Sequence, residues 1–354
     1  MNLASLIEAW GDAHVLAAGG ALIGLLFGFS AQRSRFCARA AVQECCDGMA
    51  ADRFSVWWLA LGSAFVGTQL LVLGGALDPA KSRFIANPGS ISGAVLGGLL
   101  FGIGMILTRG CASRLLILSG TGNLRALLSG LVFAVTVQAS IAGWLAPVRQ
   151  YLHQLWPVDG GPVRDLQTLS GTAPWGGPLL AMMAMLTGLY FFWRQHNGRP
   201  MLALGAIGTG ASIAAGWGFT HAVASQSFEP VSITSLSFSG PSAEWLMRVL
   251  SSAAVPGLGF DAGLLPATFI GSLLGALVGG DFRFEGFKTE NKLGHYLVGA
   301  ILMGFGAVLA GGCTVGAGMS GGAIFALTAW LTLISIWLGA AASLRLHKAM
   351  GWPV

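Results

Sequence analysis

The sequence predicts an all-α integral membrane protein of about nine transmembrane helices, built as two inverted, pseudo-symmetric repeats with re-entrant glycine-rich loops. Three observations predict it: the composition, the lengths of the uncharged stretches, and a phrase that occurs twice. Of the 354 residues, 54% are hydrophobic and only 9% charged, and the mean hydropathy is +0.72. Soluble domains carry charge on about a quarter of their residues.

Nine stretches are long enough, at 1.5 Å per residue, to cross a hydrocarbon core of about 30 Å. They are 14–31, 55–77, 91–108, 126–148, 176–193, 200–219, 263–280, 294–312 and 323–344. Transmembrane strands would be about ten residues long and would alternate, whereas these runs are continuously apolar. Residues 1–13 hold no Lys or Arg. The first run therefore lacks the basic start of a cleavable signal and is expected to remain as the first span. With the N-terminus outside, fourteen of the nineteen basic residues fall on the inner side, among them Arg33, Arg35, Arg39, Arg109, Arg114, Lys288 and Lys292. The outer side receives only Lys81, Arg83, Arg149, Arg164 and Arg248. Lys and Arg are enriched in cytoplasmic loops, so the expected topology is N-terminus outside and C-terminus cytoplasmic. The net charge of +5 is then a property of the inner loops and calls for no nucleic acid.

The doubled phrase is "FGIGMILTRGC" (101–111) and "MGFGAVLAGGC" (303–313). Gly104 precedes Cys111, and Gly306 precedes Cys313, by the same interval, and both cysteines follow a glycine. Upstream, Gly67 and Gly271 begin comparable units. The chain divides into a first repeat 1–148 with four spans, a connector 149–199 with the fifth, and a second repeat 200–354 with four more. An odd number of crossings between the two phrases inverts the second copy. Inverted repeats are a recurrent transporter design, with the solute site near the midplane. Runs such as "GGCTVGAGMSGG" permit non-helical backbone, which lipid tolerates only where it is buried or lines a wet cavity.

The composition argues against other classes. There is no CxxC pair and no embedded His-carboxylate constellation, so neither a redox relay nor a hydrolase is indicated, and the chain is not expected to be an enzyme. No cofactor or metal is expected. A membrane thiol oxidoreductase or sulfurtransferase is the alternative from another class, and a membrane scaffold leaves the doubled phrase unexplained.

Four motifs, "GLLFGFSAQRSRFC" (24–37), "GIGMILTRGC" (102–111), "FEPVSITSLSFSGP" (228–241) and "GFGAVLAGGC" (304–313), resemble the signatures of the YeeE/YedE family of membrane transporters, whose characterised members take up thiosulfate. The resemblance covers nearly the whole chain. It implies inner-membrane uptake of thiosulfate by a single polytopic subunit, along a narrow path marked by Cys37, Cys111 and Cys313. It also implies a small TusA-like sulfur carrier as cytoplasmic partner; another sulfur or selenium compound is the alternative substrate. Two features depart from the family pattern. Arg109 stands where a small residue is usual, and the adjacent Cys45 and Cys46 are an addition.

Thiosulfate is a dianion with one soft sulfur and three hard oxygens. A neutral thiol meets soft sulfur without adding charge. Backbone N–H groups in glycine turns attract anions, which adds Gly110, Gly312 and the neighbouring Thr314 to the expected path. Conduction favours several weak stations over one deep site. Folding both Gly-Cys turns back toward the midplane orders the stations as Cys313, Cys111, Cys37 from outside to inside. Arg109 is a candidate for attracting the anion at the inner mouth, with snorkelling to the headgroups as the competing role. Gln32 and His221 lie at span ends, where interface anchoring competes with function. The 228–241 phrase reads equally as a surface or a re-entrant piece.

Overall fold

A computed structural model describes residues 4–48, 52–172, 174–196, 199–250, 257–286 and 293–351. Lys288 and Lys292 of the basic count lie outside the described residues. Nine helices among the described residues are long and apolar enough to cross a membrane, in the order that the uncharged stretches predict. The spans of the first half are α1 (Asp12–Arg33), α3 (Asp52–Leu73), α4 (Ile91–Leu107) and α6 (Leu124–Ala142). Two shorter helices interrupt them, α2 (Ala38–Asp47) after the first span and α5 (Ala112–Gly120) after the third. The connector contributes α7 (Gly176–His196). The second half has spans α8 (Pro200–Ala224), α10 (Phe260–Gly279), α11 (Leu293–Leu309) and α12 (Leu327–Ala349). Its interruptions are α9 (Ser239–Leu250) and a π-helical turn, Thr314–Gly321. The only strands among the described residues are the pairs Gly89–Ser90 and Pro157–Val158, which join antiparallel.

The packing of the two halves corresponds element by element. The span α1 packs along α10 as α8 packs along α3, and α4 along α12 as α11 along α6. The short pieces follow: α5 touches α6 and α10, while the π turn touches α12 and α3. The helix α2 lies on α3 and α12, and α9 lies on α10 and α6. Only α7, which packs on α3, has no counterpart among these elements.

Small residues allow the closest of these contacts. At the α4–α11 crossing, a Cβ on Gly104 would lie 2.4 Å from the carbonyl oxygen of Gly299, and one on Gly97 would lie 2.6 Å from that of Gly306. Apolar side chains gain nothing by leaving lipid for another helix, so close backbone contact and dispersion drive this association. A residue with a side chain at any of these four positions would force the helices apart.

The 228–241 phrase, which the sequence leaves open between surface and re-entrant, dives into the protein. Ile233, Ser235, Leu236, Ser237 and Phe238 are all buried. The segment makes no regular ladder, so its polar groups are met individually. The Thr220 hydroxyl donates to the Thr234 carbonyl at 2.6 Å, Ser235 Oγ donates to the Ile213 carbonyl at 2.7 Å, and Ser320 Oγ donates to the Leu236 carbonyl at 2.8 Å. Trp217 Nε1 donates to the Ser320 carbonyl at 3.1 Å and ties α8 to the π turn.

Candidate functional site

All three candidate cysteines stand at one kind of position. Each is the residue that opens a helix: Cys37 before α2, Cys111 before α5, and Cys313 before the π turn. At such positions the backbone is extended and the side chain can meet the unpaired amides of the first turn, which among the three cysteines only Cys313 does with a hydrogen bond. Cys313 Sγ accepts from the Gly316 amide at 3.4 Å. The corresponding amide in the first half, Arg114 N–H, faces the Cys111 sulfur. The cap made by Cys313 is not evident from sequence, although a cysteine ending a glycine turn before a new helix is its signal.

Glycine spacing explains the turns. The Gly110 amide donates to the Met105 carbonyl at 3.2 Å and the Gly312 amide to the Ala307 carbonyl at 2.9 Å. These two amides therefore close the preceding helices, and the amides facing the middle of the protein belong to the helices that follow. The residue two positions before each cysteine is left-handed, with φ 58° at Arg109 and φ 78° at Gly311. Only glycine adopts that region freely, which accounts for the small residue usual there and makes Arg109 the strained member of the pair.

Tertiary folding brings the two turns together. Cys111 and Cys313 are fully buried, and Thr314 is 3% exposed. The Thr314 hydroxyl has no hydrogen-bond partner in the protein and lies within reach of the Cys111 sulfur, whose other side has Ser113 Oγ at 3.4 Å. Cys37 is half-buried and within electrostatic range of Cys111. All five cysteines are free thiols; Cys45 is exposed and Cys46 half-buried on α2, away from these turns.

Cations stand at both ends of this arrangement. At the end that carries Cys37, a cavity of about 430 Å³ is lined by Cys37, Arg39, Arg109 and Arg114 together with Asp281 and Glu285. Arg114 lies close enough to interact with both Cys37 and Cys111, and its Nη1 donates to Gln32 Oε1 at 3.5 Å. At the opposite end, a cavity of about 200 Å³ is lined by Arg83, Arg149, His153 and Arg164 beside Gly311. Arg83 is within electrostatic range of Cys313. Burial pushes the guanidinium groups of Arg83 and Arg164 below their ordinary value, and burial followed by the charges of Arg149 and Arg164 does the same to the His153 imidazole. Arg164 is held in place by donating to the Asn87 carbonyl and to Thr328 Oγ1. His221, at the end of α8, does not line either cavity.

Arg83 and Arg114 were read from sequence only as loop charges. Nothing local separates them from the other arginines, because what distinguishes them is partial burial within electrostatic range of a cysteine.

A family model described as Sulphur transport matches residues 33–342. Among curated relatives, the chain is 27% identical over 332 residues to the thiosulfate transporter TsuA of Spirochaeta thermophila, covering 90% of this chain and 96% of that protein. It is 24% identical over 346 residues to the thiosulfate transporter TsuA of Escherichia coli, covering 90% of this chain and 91% of that protein.

Proposed function

The chain belongs to the Sulphur transport family, and from that premise we propose that it takes up thiosulfate across the inner membrane along a path marked by Cys313, Cys111 and Cys37. The observation that carries this reading is the meeting of the two Gly-Cys turns through Thr314 and Cys111, with a half-buried arginine within electrostatic range of the cysteines at each end. A dianion is drawn in by Arg83, passes thiols and helix-opening amides that hold it weakly, and leaves past Arg114 and Arg109. Weak, repeated stations suit conduction. Gly110 and Gly312 shape the turns, and Thr314 offers a free hydroxyl between them.

In this reading the chain is a transporter rather than an enzyme. Its two repeats, 1–148 and 200–354, are inverted about the membrane plane, and 149–199 connects them. The matched packing of the halves supports that relation. The end bearing Cys37 faces the cytoplasm, as the bias of basic residues suggests. The arginine-lined cavity there is where a TusA-like carrier would receive the sulfur anion.

The test is uptake of radiolabelled thiosulfate into proteoliposomes containing the purified protein, compared with sulfate, sulfite and selenite. Saturable thiosulfate uptake above protein-free vesicles is expected. Uptake of selenite or sulfite alone would reassign the substrate. Covalent transfer of sulfur to a cysteine without translocation would instead make the chain a sulfurtransferase.

A further inference from the structure

The interval between the two halves assigns a partner to Cys37. Cys111 and Cys313, Gly104 and Gly306, and Gly97 and Gly299 are each separated by 202 positions, and the same step carries Phe36-Cys37 onto Phe238-Ser239. The tertiary structure agrees. Cys37 immediately precedes α2 and Ser239 is the first residue of α9, and these two helices take corresponding places, α2 on α3 and α12 and α9 on α10 and α6.

Ser239 is 6% exposed, and its Oγ lies 3.4 Å from the Oγ of Ser237, itself 3% exposed. Ser237 Oγ stands where a Cβ on Gly316 would be 2.5 Å away, and the Gly316 amide is the one that donates to Cys313 Sγ. The two serines therefore border the Cys313 turn, and the unpartnered Thr314 hydroxyl follows that cysteine directly. Around Cys313 the side-chain donors are hydroxyls, whereas around Cys111 the hydroxyls of Ser113 and Thr314 are joined by the sulfur of Cys37 within electrostatic range.

We propose that Ser239 is a fourth substrate-contacting position, the hydroxyl counterpart of Cys37, which with Ser237 binds the oxygens of a tetrahedral sulfur oxyanion at the Cys313 end of the path. This assignment rests on the transport reading above and adds to it a division of labour. Hydroxyls are strong donors to hard oxygens, and thiols are weak donors suited to soft sulfur. An anion held by its oxygens at the Ser239 end presents its soft sulfur to the cysteines ahead of it.

The experiment compares wild type, Ser239→Ala and Ser239→Cys in proteoliposomes. Removal of a hydrogen bond to a charged ligand raises the thiosulfate KM of Ser239→Ala about tenfold with the maximal rate near wild type, and weakens inhibition by sulfate, which shares the oxygens, by a similar factor. Ser239→Cys, which keeps a donor of similar size, retains at least part of the affinity. In the purified Ser239→Cys protein, alkylation at position 239 by iodoacetate, read by peptide mass spectrometry, is slowed by thiosulfate and by sulfate, while alkylation of the exposed Cys45 reports any consumption of reagent. An unchanged KM in Ser239→Ala, a loss of maximal rate alone, or a position 239 that is unreactive or unprotected would each overturn the proposal. Absence of thiosulfate uptake by the wild type would instead overturn the transport reading, and protection of position 239 by sulfate would still report an oxyanion contact.

Discussion

The hydroxyl of Thr314, the residue that follows Cys313, lies against the sulfur of Cys111 in the other half of the chain. Neither group is exposed, and the Thr314 hydroxyl makes no hydrogen bond to Cys111 or to any other group in the protein. A buried hydroxyl without a hydrogen bond costs about 1–3 kcal/mol. On the proposed path a passing anion would relieve that cost by accepting from the Thr314 hydroxyl.

Replacing Cys111 with Ala removes the thiol with little change in volume. Thiosulfate uptake is expected to collapse while expression and membrane insertion persist. Cys111→Ser keeps a donor without the soft sulfur and is expected to be impaired as well. Uptake equal to wild type in Cys111→Ala would reduce this residue to a packing role.

Order along the path is open to chemical labelling. In intact cells, a membrane-impermeant thiol reagent is expected to modify a protein retaining only Cys313 faster than one retaining only Cys37, and excess thiosulfate should protect Cys313. Faster external labelling of Cys37 would invert the topology inferred from the basic residues.

The two turn glycines differ in their surroundings. A Cβ on Gly312 would meet the Ala317 amide nitrogen at 2.7 Å, whereas one on Gly110 has nothing nearer than Leu115 Cδ2 at 3.5 Å. Gly312→Ala must therefore shift backbone at the Cys313 turn and is expected to lower thermal stability by about 1–3 kcal/mol and to cut uptake sharply. Gly110→Ala is expected to stay close to wild type in both. Equal damage from the two would mean that local space is not what selects glycine.

Arg109 and Arg114 lie five positions apart with opposite expectations. Arg114→Gln removes a cation within electrostatic range of both Cys37 and Cys111 and is expected to reduce uptake about tenfold or more, a loss typical of one charge-assisted contact. Arg109→Gly relieves a left-handed backbone at φ 58°, partly offset by the entropy of glycine, and is expected to raise thermal stability by up to about 1 kcal/mol with uptake largely kept. Thermal unfolding in detergent and vesicle uptake measure the two effects separately, and a drop in uptake for Arg109→Gly as deep as that for Arg114→Gln would place both cations on the path.

The amino-acid sequence by itself determined the class, the nine spans and their approximate ends, the doubling of the Gly-Cys phrase and the cysteines worth testing. Those features are local or periodic: hydropathy over about 20 residues, charge between spans, and an interval that can be counted. Only the tertiary structure decided that Ile233 and 235–238 are buried, that Thr314 comes within reach of Cys111, that the cysteines open helices, and which arginines among nineteen basic residues stand within range of them. Burial and pairing across more than a hundred residues depend on how helices cross. That is set by close contacts such as Gly104 against Gly299, which no single span encodes.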